Sequence, residues 1–347
     1  MIELNSDPAT RSEAVKAGDR CTFTCCVEYG TLEEGTIRFA ESLRKFGGEF
    51  ADSQVIAVKP RRGAPLRPET LKRFKELGVE FVDVAPPNRY AWMSYVNKFF
   101  ALREAEKRAR GDLIVWMDSD VIVLGPPTEL LLAPDEDFAA CPRDKNIGSR
   151  GPDDEWEKYW TKVCSDVGLT PDDLPWVKTT ADNERIRLYW NAGIFVYRPS
   201  ARLLDGWYDA MDKVLDKTDK SNLNDLFWTD QVCLSLVAVR QKLRFRHLDG
   251  SMNYGIATHF KDHLTPAGLK GARLLHYHDS MKQGNWSWFL DQMAGPQPQV
   301  RAWLETQGPI HEPTNVTGKL IRNAYRAVRQ VRRRIWSRSH GAEGLGY

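Results

Sequence analysis

Three strand-and-helix units follow one another between residues 21 and 111, and this alternation constrains the chain more than any other feature. "CTFTCCVEYG" (21–30) is rich in β-forming residues and ends in Gly. "TLEEGTIRFAESLRKFG" (31–47) carries Ile37, Ala40, Leu43 and Phe46 at helical spacing, and Thr31 with Glu34 predicts a capping box. "SQVIAVKP" (53–60) reads as a strand stopped by proline, "RPETLKRFKELG" (67–78) as a helix closed by Gly, and "VEFVDVAPP" (79–87) as a third strand. A longer helix is predicted over 91–111. Alternation of this kind predicts an α/β fold with a mostly parallel central sheet and helices on both faces. Ligands of such sheets bind beyond the carboxyl ends of the strands.

The next segment, "DLIVWMDSDVIVLG" (112–125), places Asp118-Ser119-Asp120 between two apolar runs. Carboxylates at the end of a buried strand are costly unless something neutralises them. One reading is a divalent metal site, Mn²⁺ or Mg²⁺, in which the D-x-D pair holds the ion against a nucleotide diphosphate. A second is a phosphatase of the haloacid-dehalogenase type with Asp118 as nucleophile, although that motif ends in Thr or Val where this chain has Ile122. A third is an ordinary loop after a strand, where Asp is common.

Further along, residues 143–190 are polar and Trp-bearing without clean periodicity, and predict an inserted, partly helical excursion over the sheet. "YWNAGIFVYRPS" (189–200) reads as a strand with Asn191 and Gly193 at its start. "WTDQVCLSLVAVRQK" (228–242) reads as a helix opening on Asp230 and Gln231. After a strand at 243–248, "GARLLHYHD" (271–279) ends in His276 and His278, with Lys282 close behind. A neutral imidazole can complete a metal shell begun by carboxylates, and a Lys can pair with a diphosphate.

This order, D-x-D, N-x-G, D-Q and H-Y-x-x-x-x-K, resembles that of GT-A glycosyltransferases over roughly residues 20 to 290. It is most similar to family 8, which includes glycogenin and bacterial lipopolysaccharide glycosyltransferases. The late motif of that family runs H-F-x-G-x-x-K-P-W. Here His276 and Lys282 match it, while its Gly, Pro and Trp are absent and Trp286 lies near. The resemblance implies Mn²⁺ bound by Asp118, Asp120 and His276, with His278 as a substitute ligand. It implies donor contacts from Lys98, Ser119, Gly193 and Lys282, and a nucleoside cradle at Glu28-Tyr29-Gly30. Asn191 and Asp230 would hold donor-sugar hydroxyls, and Gln231 would lie near the reacting anomeric carbon. The implied reaction moves a sugar from a nucleotide diphosphate donor, a UDP-sugar before others, to a glycan, lipid-linked or lipopolysaccharide acceptor. Retention of configuration rests on the resemblance alone. A third possibility is a fold of this kind that binds sugar or nucleotide without turnover.

Charge divides the chain. From Lys319 to Arg338 there are eight cationic side chains and no acid, so with a net charge of +2 the remainder carries about −6. The sequence predicts a catalytic domain over 20–312 and a basic amphipathic helical tail over 313–347. The tail either meets an anionic membrane surface or packs its apolar stripe on the domain. The acidic body gives no reason to expect nucleic acid as partner. No run approaches the roughly 20 apolar residues that span a bilayer. The polar N-terminus lacks a signal core, and the six cysteines, with no C-x-x-C pair, fit reduced thiols. A cytoplasmic location, with peripheral membrane contact through the tail, is the expectation. The aromatic segments 156–190 and 284–289 are expected to shape the acceptor side.

Overall fold

The computed structural model describes residues 16–217, 228–258 and 263–339. A single turn, α1 (Ala17–Arg20), leads into β1 (Cys21–Cys26), α2 (Thr31–Phe46), β2 (Gln54–Lys59), α3 (Pro68–Glu76), β3 (Val79–Asp83), α4 (Asn97–Glu106) and β4 (Leu113–Met117). Past the D-x-D turn come β5 (Val121–Val123), β6 (Phe138–Cys141), α5 (Glu157–Asp166), β7 (Trp176–Lys178), β8 (Arg185–Arg187) and β9 (Asn191–Tyr197). The chain continues through α6 (Leu203–Lys217), α7 (Thr229–Arg240), β10 (Phe245–His247), β11 (Tyr254–Gly255), α8 (Pro266–Gly271) and β12 (Leu274–His276). It closes with α9 (Trp286–Met293), α10 (Pro298–Gln307) and α11 (Val316–Ser339).

Seven strands form the central sheet in the order β10-β6-β9-β4-β1-β2-β3. All neighbours run parallel except β9, which is antiparallel to both β4 and β6. The continuous apolar run of β4 is explained by burial on both faces. Leu113, Val115 and Met117 join a core with Phe39, Ala40 and Leu43 of α2 and Phe74 of α3. Ile114 and Trp116 point the other way, into a core with Leu102 of α4 and residues of α6 and α7. Among the described residues this is the expected mixed α/β architecture.

The second apolar run, Val121 to Val123, does not continue the main sheet. It is β5 of a separate three-stranded sheet, β11-β12-β5, in which β12 pairs antiparallel to β5 with His276 opposite Val121. The D-x-D turn therefore sits where the chain passes from one sheet to the other. Tyr277 N–H donates to the Asp120 carbonyl (2.9 Å), and Asp118 N–H donates to the Gly193 carbonyl (2.8 Å), so both sheets pin the turn.

Several sequence expectations are corrected. Helix α4 begins only at Asn97, and residues 91–96 form turns. The cap of α2 is shifted by one residue. Gly30, at φ 131°, is the N-cap and its N–H donates to the Glu33 carboxylate (3.1 Å), whereas Glu34 accepts from His311 N–H (2.9 Å). Gly35 lies inside α2, where glycine is unfavourable by about 0.5–1 kcal/mol. Its presence follows from packing, because a Cβ there would fall 2.4 Å from the Ser119 carbonyl oxygen. Helix α2 thus seats directly on the D-x-D turn.

The segment 143–190 contains α5 and the β7–β8 hairpin. Trp160 and Trp190 are fully buried in the same core as Trp207 of α6, so they do not face an acceptor. Trp176 remains partly exposed, with the Arg185 guanidinium 4.2 Å above its ring. The part of the tail beyond residue 339 lies outside the described residues. All six cysteines are free thiols, five of them buried. Burial pushes Cys21, Cys25 and Cys141 up to about 12, which leaves them un-ionised at neutral pH.

Candidate active site

A cavity of about 870 Å³ opens at the carboxyl ends of β1 and β4. Its walls include Asp118, Ser119, Asp120, Asn191, Gln231 and His276, drawn from both sheets and from the start of α7. Lys98, Gly193, His278 and Lys282 also line it.

The countercharge for Asp118 is Lys98. Its side chain is 8% exposed, and its ammonium lies 3.2 Å from Asp118 Oδ1 and 2.9 Å from Asp230 Oδ2, and donates to the Ala192 carbonyl (3.0 Å). Asp118 Oδ1 also accepts from Trp116 Nε1–H (2.8 Å). Burial raises the Asp118 carboxyl above its usual range despite the Lys98 charge. Burial would lower the Lys98 ammonium, but Asp118 and then Asp230 outweigh it and hold that group well above the ordinary lysine value. Asp230 is fully buried and does not line the cavity. The expectation that Asp230 holds a sugar hydroxyl is corrected: it holds Lys98. For the same reason the Lys98 ammonium, although it borders the cavity, is engaged by two protein carboxylates.

Asp120 has a different environment. His276 Nε2 lies 3.2 Å from its Oδ1 and His278 Nδ1 lies 3.9 Å from its Oδ2. The two imidazoles stack at 3.9 Å. Ligand atoms of all three lie within 4.8 Å of one another. Burial alone would raise the Asp120 carboxyl, but His276 and then His278 hold it far below the carboxylate range. Asp118 does not belong to this cluster.

A chain of amides fixes the tautomer of His276. Gly193 N–H donates to Asn191 Oδ1 (2.9 Å), which orients the Asn191 amide. Asn253 Nδ2–H donates to the same oxygen (2.9 Å), so Asn253 Oδ1 is the atom that meets His276 Nδ1 at 3.2 Å. Nδ1 then carries a proton, so Nε2 is the atom turned to the Asp120 carboxylate, as a lone pair in the neutral ring or as an N–H donor in the imidazolium. Two electron-rich atoms facing each other at this distance need a proton or a cation between them. The donor set of one carboxylate and two imidazoles, with one imidazole oriented from behind, suits a divalent transition ion such as Mn²⁺.

Gln231 Oε1 accepts from Tyr189 O–H (3.1 Å), which in turn accepts from Asn146 Nδ2–H (3.4 Å). Asn191 and Gln231 thus both have their oxygens committed and keep amide N–H donors for a ligand. Ser119 O–H is used up by the Cys26 carbonyl (2.6 Å). Lys282 is exposed at the mouth.

The expected nucleoside cradle is corrected as well. Glu28, Tyr29 and Gly30 do not line the cavity. The Glu28 carboxylate is taken by the Arg61 guanidinium (2.5 and 2.9 Å), and the Tyr29 ring lies under Gly318 of α11. That stretch of wall is made instead by Cys26, Thr31 and Leu32. Tyr95, Trp228, Arg143 and Asp144 also line the cavity, and no motif marked them. Burial raises the Asp144 carboxyl despite the Arg143 guanidinium 3.1 Å away.

Gly193 is required by the close approach of His276. A Cβ at this position would fall 2.6 Å from His276 Cε1 and 2.8 Å from Asn191 Oδ1. Gly193→Ala is expected to cost about 1–3 kcal/mol from overpacking. It is also expected to displace the ring, and so to weaken a divalent cation held by His276. Thermal unfolding and a metal titration would show both, and unchanged metal affinity would contradict this role.

The family model of the Rhodobacterales glycosyltransferase domain matches residues 23–242, more than half of the chain. The chain belongs to this family and is a glycosyltransferase. Family membership, with D-x-D at the carboxyl edge of a mostly parallel sheet, agrees with the GT-A class and decides against the phosphatase alternative. Among solved structures the chain is similar to the apo bifunctional glycosyltransferase WbbM, at 12% identity and a TM-score of 0.46, over 86% of this chain and 52% of that one. It thus spans about half the length of WbbM. It is also similar to the galactosyltransferase LgtC in complex with donor and acceptor sugar analogs, at 13% identity and a TM-score of 0.48, over 79% of this chain and 95% of that one. Superpositions this loose assign no residue role. No curated protein matches the chain.

Proposed function

We propose that the protein transfers a sugar from a nucleotide diphosphate donor, a UDP-sugar before others, to a glycan or lipid-linked acceptor in a divalent-metal-dependent reaction. The observation that carries this reading is the Asp120–His276–His278 cluster in the wall of the cavity, with His276 Nε2 3.2 Å from the Asp120 carboxylate. These three residues would hold Mn²⁺ or Mg²⁺, and a cation there supplies Lewis-acid stabilisation of the departing diphosphate. The protein's own groups do the rest. Lys282, exposed at the mouth, adds positive charge where the diphosphate leaves. Asn191 and Gln231 offer N–H donors to sugar oxygens. Asp118 takes no metal in this reading. Its role, with Lys98 and Asp230, is to fix the turn that carries Asp120.

Retention of configuration remains part of the proposal by resemblance. Calorimetry with UDP and GDP, with and without Mn²⁺, tests the donor class. Metal-dependent binding of one nucleotide is expected, followed by slow hydrolysis of its sugar conjugates, and the anomer released reports the stereochemistry. Failure of both nucleotides to bind would overturn the proposal, and binding without turnover of any sugar conjugate would favour a non-catalytic module.

A further inference from the structure

Helix α11 is turned opposite to the packing that its sequence allows. An amphipathic helix on a domain ordinarily buries its apolar stripe. Here the stripe faces out: Val316, Leu320, Val328, Val331 and Ile335 are 70, 65, 50, 52 and 62% exposed. The face that meets the body carries Gly318, Arg322, Tyr325, Arg329 and Trp336. Gly318 lies against Tyr29, whose hydroxyl donates to the Asn315 carbonyl (3.2 Å). Trp336 is buried and packs on Trp92 at 4.9 Å and on Tyr90 at 6.5 Å. Tyr29 follows β1, and Tyr90 and Trp92 follow β3. The helix therefore spans the carboxyl ends of the parallel strands, the same sheet edge on which Asp118 and Asp120 sit.

We infer that the outward face of α11 docks on a bilayer rich in anionic lipid, and that it turns the edge of the catalytic cavity toward that surface. Two observations single out this occupant. The first is the aliphatic stripe, a row of exposed apolar side chains that a soluble monomer rarely presents. The second is charge. Between Lys319 and Arg338 eight cations occur without an acid, while the rest of the chain carries about −6; Arg322 and Arg329 face the body, and Arg326, Arg332, Arg333 and Arg334 are exposed. An anionic surface attracts the helix and repels the body, which sets the orientation. A second copy of the helix would place like charges together, and a nucleic acid would make no use of the stripe. Among the described residues no helix is long and apolar enough to cross a membrane, so the attachment is interfacial. The inference does not depend on the donor or the metal. It narrows the acceptor to molecules presented at a lipid surface.

The test uses the full chain in sedimentation with vesicles of phosphatidylcholine alone and of phosphatidylcholine mixed with phosphatidylglycerol. Partition into the anionic vesicles is expected, weakened by salt. The variant Leu320→Ser/Val328→Ser/Val331→Ser/Ile335→Ser changes exposed side chains only, so circular dichroism and solution nucleotide binding are expected to stay as in wild type. Its partition is expected to fall by about tenfold or more, since apolar burial drives interfacial insertion. A second variant, Arg333→Gln/Arg334→Gln, keeps the stripe and is expected to lose part of the preference for phosphatidylglycerol. No partition into anionic vesicles, or partition unaffected by the stripe variant, would overturn the inference. So would concentration-dependent self-association that the stripe variant abolishes. Nucleotide binding measured on the same protein keeps this outcome separate from that of the donor reading.

Discussion

Replacing Asp120 by alanine is expected to abolish Mn²⁺-dependent nucleotide binding, with metal affinity falling by about 100-fold or more, beyond what loss of a supporting partner costs. Asp120 is the one carboxylate in the cluster, and the two imidazoles face it. Removing it leaves two neutral ligands and no charge to offset a divalent ion. Asn253→Leu provides the graded comparison. It leaves all three ligands in place but takes away the oxygen that fixes the His276 tautomer, and a loss of about 10–100-fold is expected. Direct Mn²⁺ titration, by calorimetry or by the spectrum of the free ion, reads both without relying on turnover. If Asp118→Asn weakened the metal as much as Asp120→Ala, the division of labour between the two carboxylates would be wrong.

The second large effect concerns stability. Lys98→Met is expected to destabilise the fold by about 3–5 kcal/mol, because it strands two carboxylates that share one buried cation. Asp230 is entirely enclosed and Asp118 is one quarter exposed, so neither can turn fully to water. The pH dependence has a definite sign. The Asp118 carboxyl already lies above its ordinary value through burial, and loss of the Lys98 charge that opposes this would raise it further. A carboxyl raised in the folded state favours folding below its unfolded value and loses that contribution as pH rises. The deficit of the variant is therefore smallest in acid and grows as pH passes upward through and above the carboxylate range. Urea unfolding at two pH values measures it. A pH-independent loss under about 1 kcal/mol would mean that the ion cluster is not what holds the turn. Lys98→Met/Asp230→Asn removes one stranded charge and is expected to recover part of the loss.

Some of this architecture was legible in local pattern. Periodicity located β1, α2, β2, α3, β3 and β4, since each must bury a face or both faces against its neighbours. The apolar run that ends in Asp118 marked a strand end at the ligand edge. His276 and His278, at the close of a short apolar run, were visible as candidate ligands. The partition between the two aspartates was not visible. Asp118 and Asp120 are one residue apart, and what separates their roles is Lys98 on a helix 20 residues earlier and His276 on a strand more than 150 residues later.

The same limit explains the sites that moved. Asp230 looked like a helix-opening residue facing the ligand, but α7 enters the core there and its carboxylate meets Lys98. Glu28 and Tyr29 follow a strand at the ligand edge, as a nucleoside cradle should, yet Arg61 takes the Glu28 carboxylate and a segment nearly 290 positions away covers Tyr29. Asn253 and Asn191 form the support of His276 only because two sheets converge on one turn.

By itself, the sequence determined the strands and helices of the first half up to β4, and which polar residues stand near the strand ends, because hydrophobic periodicity acts over a few residues. Only the tertiary structure decided which carboxylate pairs with Lys98 and which meets the two imidazoles. It also decided which face of α11 meets water. Those outcomes depend on burial and pairing between residues far apart in the chain, where the cost of an unpaired buried charge selects one arrangement.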